Sequence, residues 1–153
     1  MSDATCEVRI REARLADAAR LADLSTQLGY PSTPAEIGAR LELLLPSAEH
    51  MVLVAEEGGE AMGFAHVHLG IALETGPRAE LLGLVTDQAL RSRGIGRRLL
   101  AETERWAAAR GLRALFVRCN IVRTDAHRFY EALGYTCSKT QKYFRKPLAE
   151  TEN

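Results

Sequence analysis

The stretch LLGLVTDQALRSRGIGRRLL, Leu81 to Leu100, constrains this chain more than any other. Its apolar opening, Leu81 to Thr86, reads as a buried strand that runs out into a polar loop, after which Gly94 and Gly96 open a helix. A helix start of this kind presents backbone N–H groups with no partner inside the helix, at the positive end of the dipole. It is a ready phosphate site. Glycine suits it because a side chain would block close approach of an anion to the backbone. Arg91, Arg93, Arg97 and Arg98 surround it with positive charge. Two familiar phosphate motifs do not fit. A dinucleotide fingerprint wants Gly or Ala where Leu99 stands, and a P-loop wants Gly-Lys-Ser/Thr. What stands is Arg-x-x-Gly-x-Gly: Arg91, Ser92, Arg93, Gly94, Ile95, Gly96. Alone, that pattern is equally a plain strand–turn–helix.

The charge distribution would suit an anionic ligand at this segment, although most of its arginines read as decorating solvated faces. Thr86 to Arg128 holds ten arginines against four acids, a net of +6, and the rest of the chain carries a balancing −6. Because the total is zero and no aromatic residues interleave with the arginines, nucleic acid is not an expected partner. Apolar residues at 46% and charged residues at 26% are ordinary for a globular chain. The length of 153 residues suits one domain spanning 1–153. No apolar run reaches membrane-spanning length and MSDATCEVRI lacks the apolar core of a signal peptide, so a cytoplasmic protein with no membrane partner is expected. Cys6, Cys119 and Cys137 are odd in number and widely spaced, which disfavours a disulfide framework or a cysteine zinc site.

Along the chain, CEVRIRE alternates as a first strand. Leu15, Ala18, Leu21, Leu24 and Leu28 recur at helical spacing up to a Gly29 stop. Thr33, Pro34 and Glu36 form a capping box at the start of a second helix, which Pro46 ends. MVLVAEE, the Gly58-Gly59 turn and EAMGFAHVHLGIAL read as a hairpin, followed by the strand AELLGLVT. A helix is expected over 94–110. LRALFVRC is apolar on both faces, as a central strand would be. Thr124 or Asp125 caps a short helix that Gly134 ends, and YTCSK and QKYFRK read as two closing strands. The expected order is β-α-α-β-β-β-α-β-α-β-β, an α/β fold with a mixed sheet and helices on both faces.

Downstream of the glycine loop lies CNIVRTDAHRFYEALGY. With it, the sequence resembles the GNAT superfamily of acyl-CoA N-acyltransferases over nearly the whole chain. The resemblance rests on the opening IREARLADAARLADL, the Arg91–Gly96 motif, FYEALGY and the order of elements. AHRFY and QLGY also resemble the aminoalkylphosphonate N-acetyltransferase branch. The resemblance implies the GNAT fold, acetyl-CoA as cosubstrate and transfer of acetyl to an amine. Its pantetheine arm would lie along a splayed strand at Leu84, Val85 and Thr86, and its pyrophosphate on the backbone of Arg91, Ser92, Arg93, Gly94, Ile95, Gly96 and Arg97. Asn120 matches a position that often bonds the pantetheine arm, and is equally a loop-forming residue. Tyr130 matches the tyrosine that protonates the leaving thiolate, a role its high ordinary pKa suits. Glu80 matches a general-base position, with a chain of waters as the alternative. Gly83 stands where some relatives carry an acid.

His66 and His68 lie two apart on one strand face, where they could line an acceptor pocket, and no metal site is expected of them. Cys119 with His127 raises a nucleophilic cysteine, against which stands a cysteine at the end of an apolar strand. Arg123 and Arg128 read as solvated helix residues. The expected function is an N-acetyltransferase that moves acetyl to a primary amine of a small molecule by direct attack in a ternary complex, in a homodimer. The alternatives are a peptide or protein acceptor and a non-catalytic CoA-binding module.

Overall fold

Alternation along one face builds the centre of the fold. Val52 and Val54 on one strand turn to the side where Leu21, Leu24 and Leu41 lie, and Leu24 and Val54 are fully buried there. The computed structural model describes residues 7–91 and 93–149. The described chain divides into two units, one running to Arg118 and one from Cys119 onward.

The first unit carries a five-stranded sheet in the order β1-β2-β3-β4-β5. Its strands are β1 (Arg9–Glu12), β2 (His50–Glu57), β3 (Glu60–Ala72), β4 (Gly76–Thr86) and β5 (Leu115–Val117). The first four pair antiparallel and β5 runs parallel to β4. Helices α1 (Ala18–Leu28) and α2 (Pro34–Leu44) cover one face, where Val52, Val54, Phe64 and Val85 meet them. The Thr33/Glu36 capping box forms as read. Helix α3 (Ile95–Ala109) covers the other face, with Trp106 and Ala107 against Val67 and Ala79.

Entry into α1 is fixed by a buried ion pair. Arg11 on β1 donates through both terminal nitrogens to the two Asp17 oxygens at 2.8 Å, and the Arg14 backbone N–H adds a third hydrogen bond at 2.7 Å. Both charged side chains are about nine-tenths buried, at 11% and 9% exposure.

Two closely packed backbones set the end of β4. A β-carbon added at Gly63 on β3 would sit 2.7 Å from the Val85 carbonyl oxygen and 3.3 Å from both the Thr86 Cα and Leu99 Cδ1. The Val85 oxygen and the Thr86 Cα are backbone and cannot retreat without moving β4, and Leu99 would have to shift its side chain within a fully buried site. Gly63→Ala is therefore expected to cost about 1–3 kcal/mol of stability, read by urea unfolding, and to weaken CoA binding. Full stability in the alanine variant would contradict this packing.

The structure departs from the sequence reading at the C-terminal end. β5 covers only Leu115–Val117 and is an edge strand among the described residues, not a central one. Among the described residues the second unit holds one helix, α4 (Thr124–Ala132), whose N-cap is Arg123 with no side-chain cap, rather than Thr124 or Asp125. YTCSK and QKYFRK form no strands. Residues 135–149 have no regular structure, and Tyr143, Phe144 and Leu148 are exposed. A strand needs a ladder partner, and among the described residues no strand of the sheet pairs with residues 136–149.

Candidate active site

Strand β4 does two jobs along its length. Its first half pairs with β5 at Ala79–Leu115, Glu80–Phe116 and Leu81–Val117, and the ladder stops there. At the same point a bulge in the β3–β4 pairing places Leu82 between the partnered residues Leu81 and Gly83. A bulge bends the strand and increases its local twist. β4 nevertheless runs on to Thr86, so the backbone of Leu82 to Thr86 has β3 on one side and no strand on the other among the described residues. An extended polar arm fits such an edge by adding to it as a strand would.

The chain passes from this open edge through the short 3-10 turn Gln88–Leu90 into the start of α3. Gly94 is the N-cap at φ 76°, a left-handed value that disfavours other residues, and it supplies no capping side chain. The first N–H groups of a 15-residue helix are thus left for an outside acceptor. Arg91 and Arg97 are exposed beside it, with no ion pair among the described residues. Arg93 is engaged elsewhere: it grips Glu57 with both terminal nitrogens at 3.0 and 3.1 Å. Arg98 donates to the Val8 carbonyl at 2.7 Å. Ser92 lies outside the described residues. Of the other sequence-predicted contacts, Leu84, Val85, Thr86, Arg91, Arg93, Gly94, Ile95, Gly96 and Arg97 lie in the first unit, between the end of β4 and the first turn of α3, whereas Asn120 lies in the second.

Those features name the chain's relatives. The Acetyltransferase (GNAT) family pattern matches residues 16–135. The chain belongs to the GNAT acetyltransferase family. It is an N-acetyltransferase with acetyl-CoA as its cosubstrate. An aminoglycoside N(6')-acetyltransferase type 1 of Stenotrophomonas maltophilia is 30% identical over 143 residues, covering 91% of this chain and 93% of that protein. An aminoalkylphosphonate N-acetyltransferase of Salmonella typhimurium is 33% identical over 109 residues, 71% of this chain and 67% of that one. Among solved structures, an aminoglycoside N-acetyltransferase in complex with CoA shares the fold at a TM-score of 0.85 and 22% identity, over 97% of this chain and all of that one.

Within this GNAT chain, Glu80 and the histidines share one sheet face. Glu80 is the register partner of His68, and His66 lies two residues before it. Arg118 holds Glu80 in an ion pair at 2.8 Å, a partner the sequence reading missed because 38 positions of chain separate the two. It also missed His50. His50 Nδ1 stands 2.9 Å from His66 Nε2, and the His50 ring stacks on His68 with centroids 5.1 Å apart. His68 Nδ1 is buried with no hydrogen-bond partner among the described residues. No group of three His, Cys, Asp or Glu among them is arranged to hold a metal ion.

Burial pushes His66 down to about 4, and the neighbouring His50 and His68 add to the shift. Burial and then His68 lower His50 as well. The unfolded chain takes up these protons near the ordinary histidine value, before the folded chain does. Stability is therefore fully present above about pH 6.5 and falls as the pH drops toward 4. The expected loss from pH 7.5 to 5 is about 1–2 kcal/mol, of which the upper figure takes the His66 shift without solvent screening. Urea unfolding at the two pH values tests it, with His66→Asn expected to flatten the dependence.

In the second unit, Tyr130 on α4 is half-buried and meets the rings of Phe129 and Tyr135 edge-on at 5.2 and 5.7 Å. Burial, then Cys119, raises its phenol to about 12. Asn120 shapes its own turn: its Oδ1 accepts from the Val122 N–H at 3.1 Å. His127 Nε2–H donates to the Asn120 carbonyl at 2.9 Å, so the imidazole is engaged there and not with Cys119. Among the described residues no helix is long and apolar enough to cross a membrane.

Proposed function

We propose that the chain transfers acetyl from acetyl-CoA to the primary amine of a small molecule, by direct attack within a ternary complex. One observation carries the reading. The β4–β5 ladder ends at Leu81–Val117 while β4 runs on to Thr86 and leads into the uncapped start of α3. The backbone of Leu84, Val85 and Thr86 holds the pantetheine arm, and that of Arg91 to Arg97 holds the pyrophosphate. Asn120 adds a contact to the arm. The N–H of Val85 or a neighbour polarises the thioester carbonyl. Glu80 attracts the acceptor's ammonium and takes its proton, directly or through water. The neutral amine forms the new C–N bond, the C–S bond breaks, Tyr130 protonates the departing thiolate, and the surplus proton on the new amide nitrogen leaves through water to restore the Tyr130 phenol. A phenol raised to about 12 keeps its proton at neutral pH.

A small acceptor is favoured by the relatives, which are named for aminoglycosides and aminoalkylphosphonates. Tyr143, Phe144 and Leu148, each at least 85% exposed, give the C-terminal segment apolar surface that a second copy of the chain would cover. Analytical ultracentrifugation reads that homodimer directly.

The test is CoA release, followed with a thiol reagent, from acetyl-CoA and a panel of aminoglycosides, aminoalkylphosphonates, polyamines, amino acids and peptides. Turnover with a small amine is expected. Strong turnover of peptides over free amines would replace the small acceptor with a peptide. CoA binding without turnover across the panel would point to a non-catalytic CoA module.

A further inference from the structure

Between the open edge of β4 and the glycine loop lie only four residues, Asp87 to Leu90, and helix α1 grips them from two sides. Arg20 on α1 is the centre of the grip. Its Nε–H donates to the Ala61 carbonyl on β3 at 2.7 Å and lies 3.4 Å from Glu60. One terminal nitrogen donates to Asp23 at 2.6 Å, and the other is paired with Asp87. Asp87 is engaged on its other side too. Its second carboxylate oxygen accepts from the Ala89 N–H at 2.9 Å, which caps the 3-10 turn, and its own N–H donates to the Met62 carbonyl at 2.8 Å. Two turns along α1 from Arg20, Gln27 accepts from the Gln88 N–H at 2.9 Å and reaches Asp23 at 3.3 Å. The Arg20 hydrogen bond, then the Ala89 N–H, hold the Asp87 carboxyl below the usual range, consistent with a carboxylate bound on both sides.

A loop that grips an anion through its backbone works only if its N–H groups converge on one point, and a displacement of about 1 Å can cost on the order of a hundredfold. A chain leaving a bulged strand has no intrinsic direction. Here a guanidinium fork fixes it to a helix and to a neighbouring strand together, which a single point charge could not do. We propose that Arg20 and Asp87 are positioning residues for the cosubstrate: they aim the Arg91–Gly96 loop at the pyrophosphate without touching it. The inference rests on the reading of that loop as the pyrophosphate site.

The test compares two ligands that differ only in the part this loop would hold. CoA carries the 3'-phospho-ADP group; pantetheine is the same arm without it. Dissociation constants for both are measured, by calorimetry for CoA and by NMR titration for pantetheine, on the wild type, Arg20→Lys and Asp87→Asn. Arg20→Lys keeps the charge and loses the fork. Asp87→Asn keeps the shape and the Ala89 contact and loses the charge, so at least one variant should remain folded. The expected result is CoA binding weakened about tenfold in each, with pantetheine binding unchanged. CoA binding at wild-type strength overturns the inference, and so does an equal loss for both ligands, which would mark the pair as mere support for β4. A wild type that binds CoA no tighter than pantetheine removes the pyrophosphate reading itself.

Discussion

Tyr130→Phe is expected to lower kcat about 100-fold while CoA affinity stays at its wild-type value. The substitution removes one hydroxyl and keeps the ring, so the edge-on contacts with Phe129 and Tyr135 survive. On the proposed role, what goes is the proton for the departing thiolate. Because the phenol is raised to about 12, its ionisation lies far above neutral pH. The wild-type rate should therefore show no loss on the alkaline side from this group until well past pH 9. Steady-state kinetics with the best acceptor from the amine panel, beside CoA titration, separate the two effects. An unchanged kcat in the phenylalanine variant would assign the proton to water and leave Tyr130 a packing residue.

The largest expected effect on stability belongs to Asp17→Asn. The variant keeps the shape of the side chain but removes the charge that faces both terminal nitrogens of Arg11. The Arg11 guanidinium, at 11% exposure, would then keep Glu56 at 3.4 Å as its charged partner and the Glu12 carbonyl at 2.9 Å as an acceptor. Breaking such a pair from one side costs about 3–5 kcal/mol, which for a chain of this length lowers Tm by about 10 °C. The Arg11 hydrogen bond, partly offset by burial, holds the Asp17 carboxyl below its ordinary value. The pair thus contributes fully above the ordinary carboxylate range and is lost as the pH falls through the lowered one. A melting curve of the variant that overlays the wild type would show that the pair contributes nothing.

Features set by local chemistry were legible before the fold was known. The Thr33/Glu36 box, the Gly29 stop and the Gly58-Gly59 turn each act within a few residues, and each formed as read. The glycine loop was legible for the same reason. Features that depend on distant pairing were not. The apolar run LRALFVRC could not announce that only three of its residues would join the sheet, since the end of a ladder is decided by the partner strand. QKYFRK has strand-like composition but no partner among the described residues. Arg20 with Asp87, Arg11 with Asp17 and Arg118 with Glu80 are charges that look solvated along the chain, and only the fold brings each pair together. His50 was passed over because its neighbours His66 and His68 sit on another strand.

The unfinished edge of β4 also bears on how this protein keeps its shape. Any molecule that binds the folded chain and not the unfolded one shifts the folding equilibrium by mass action, by about 2.7 kcal/mol at a hundredfold excess over its dissociation constant. An exposed strand edge is a template for unwanted pairing with other chains, and the segment from Leu82 to Thr86 offers one. A bound pantetheine arm would occupy that template. The cosubstrate would then act as a folding ligand as well as a reagent: protein handled without CoA would melt earlier and aggregate sooner than protein stored with it.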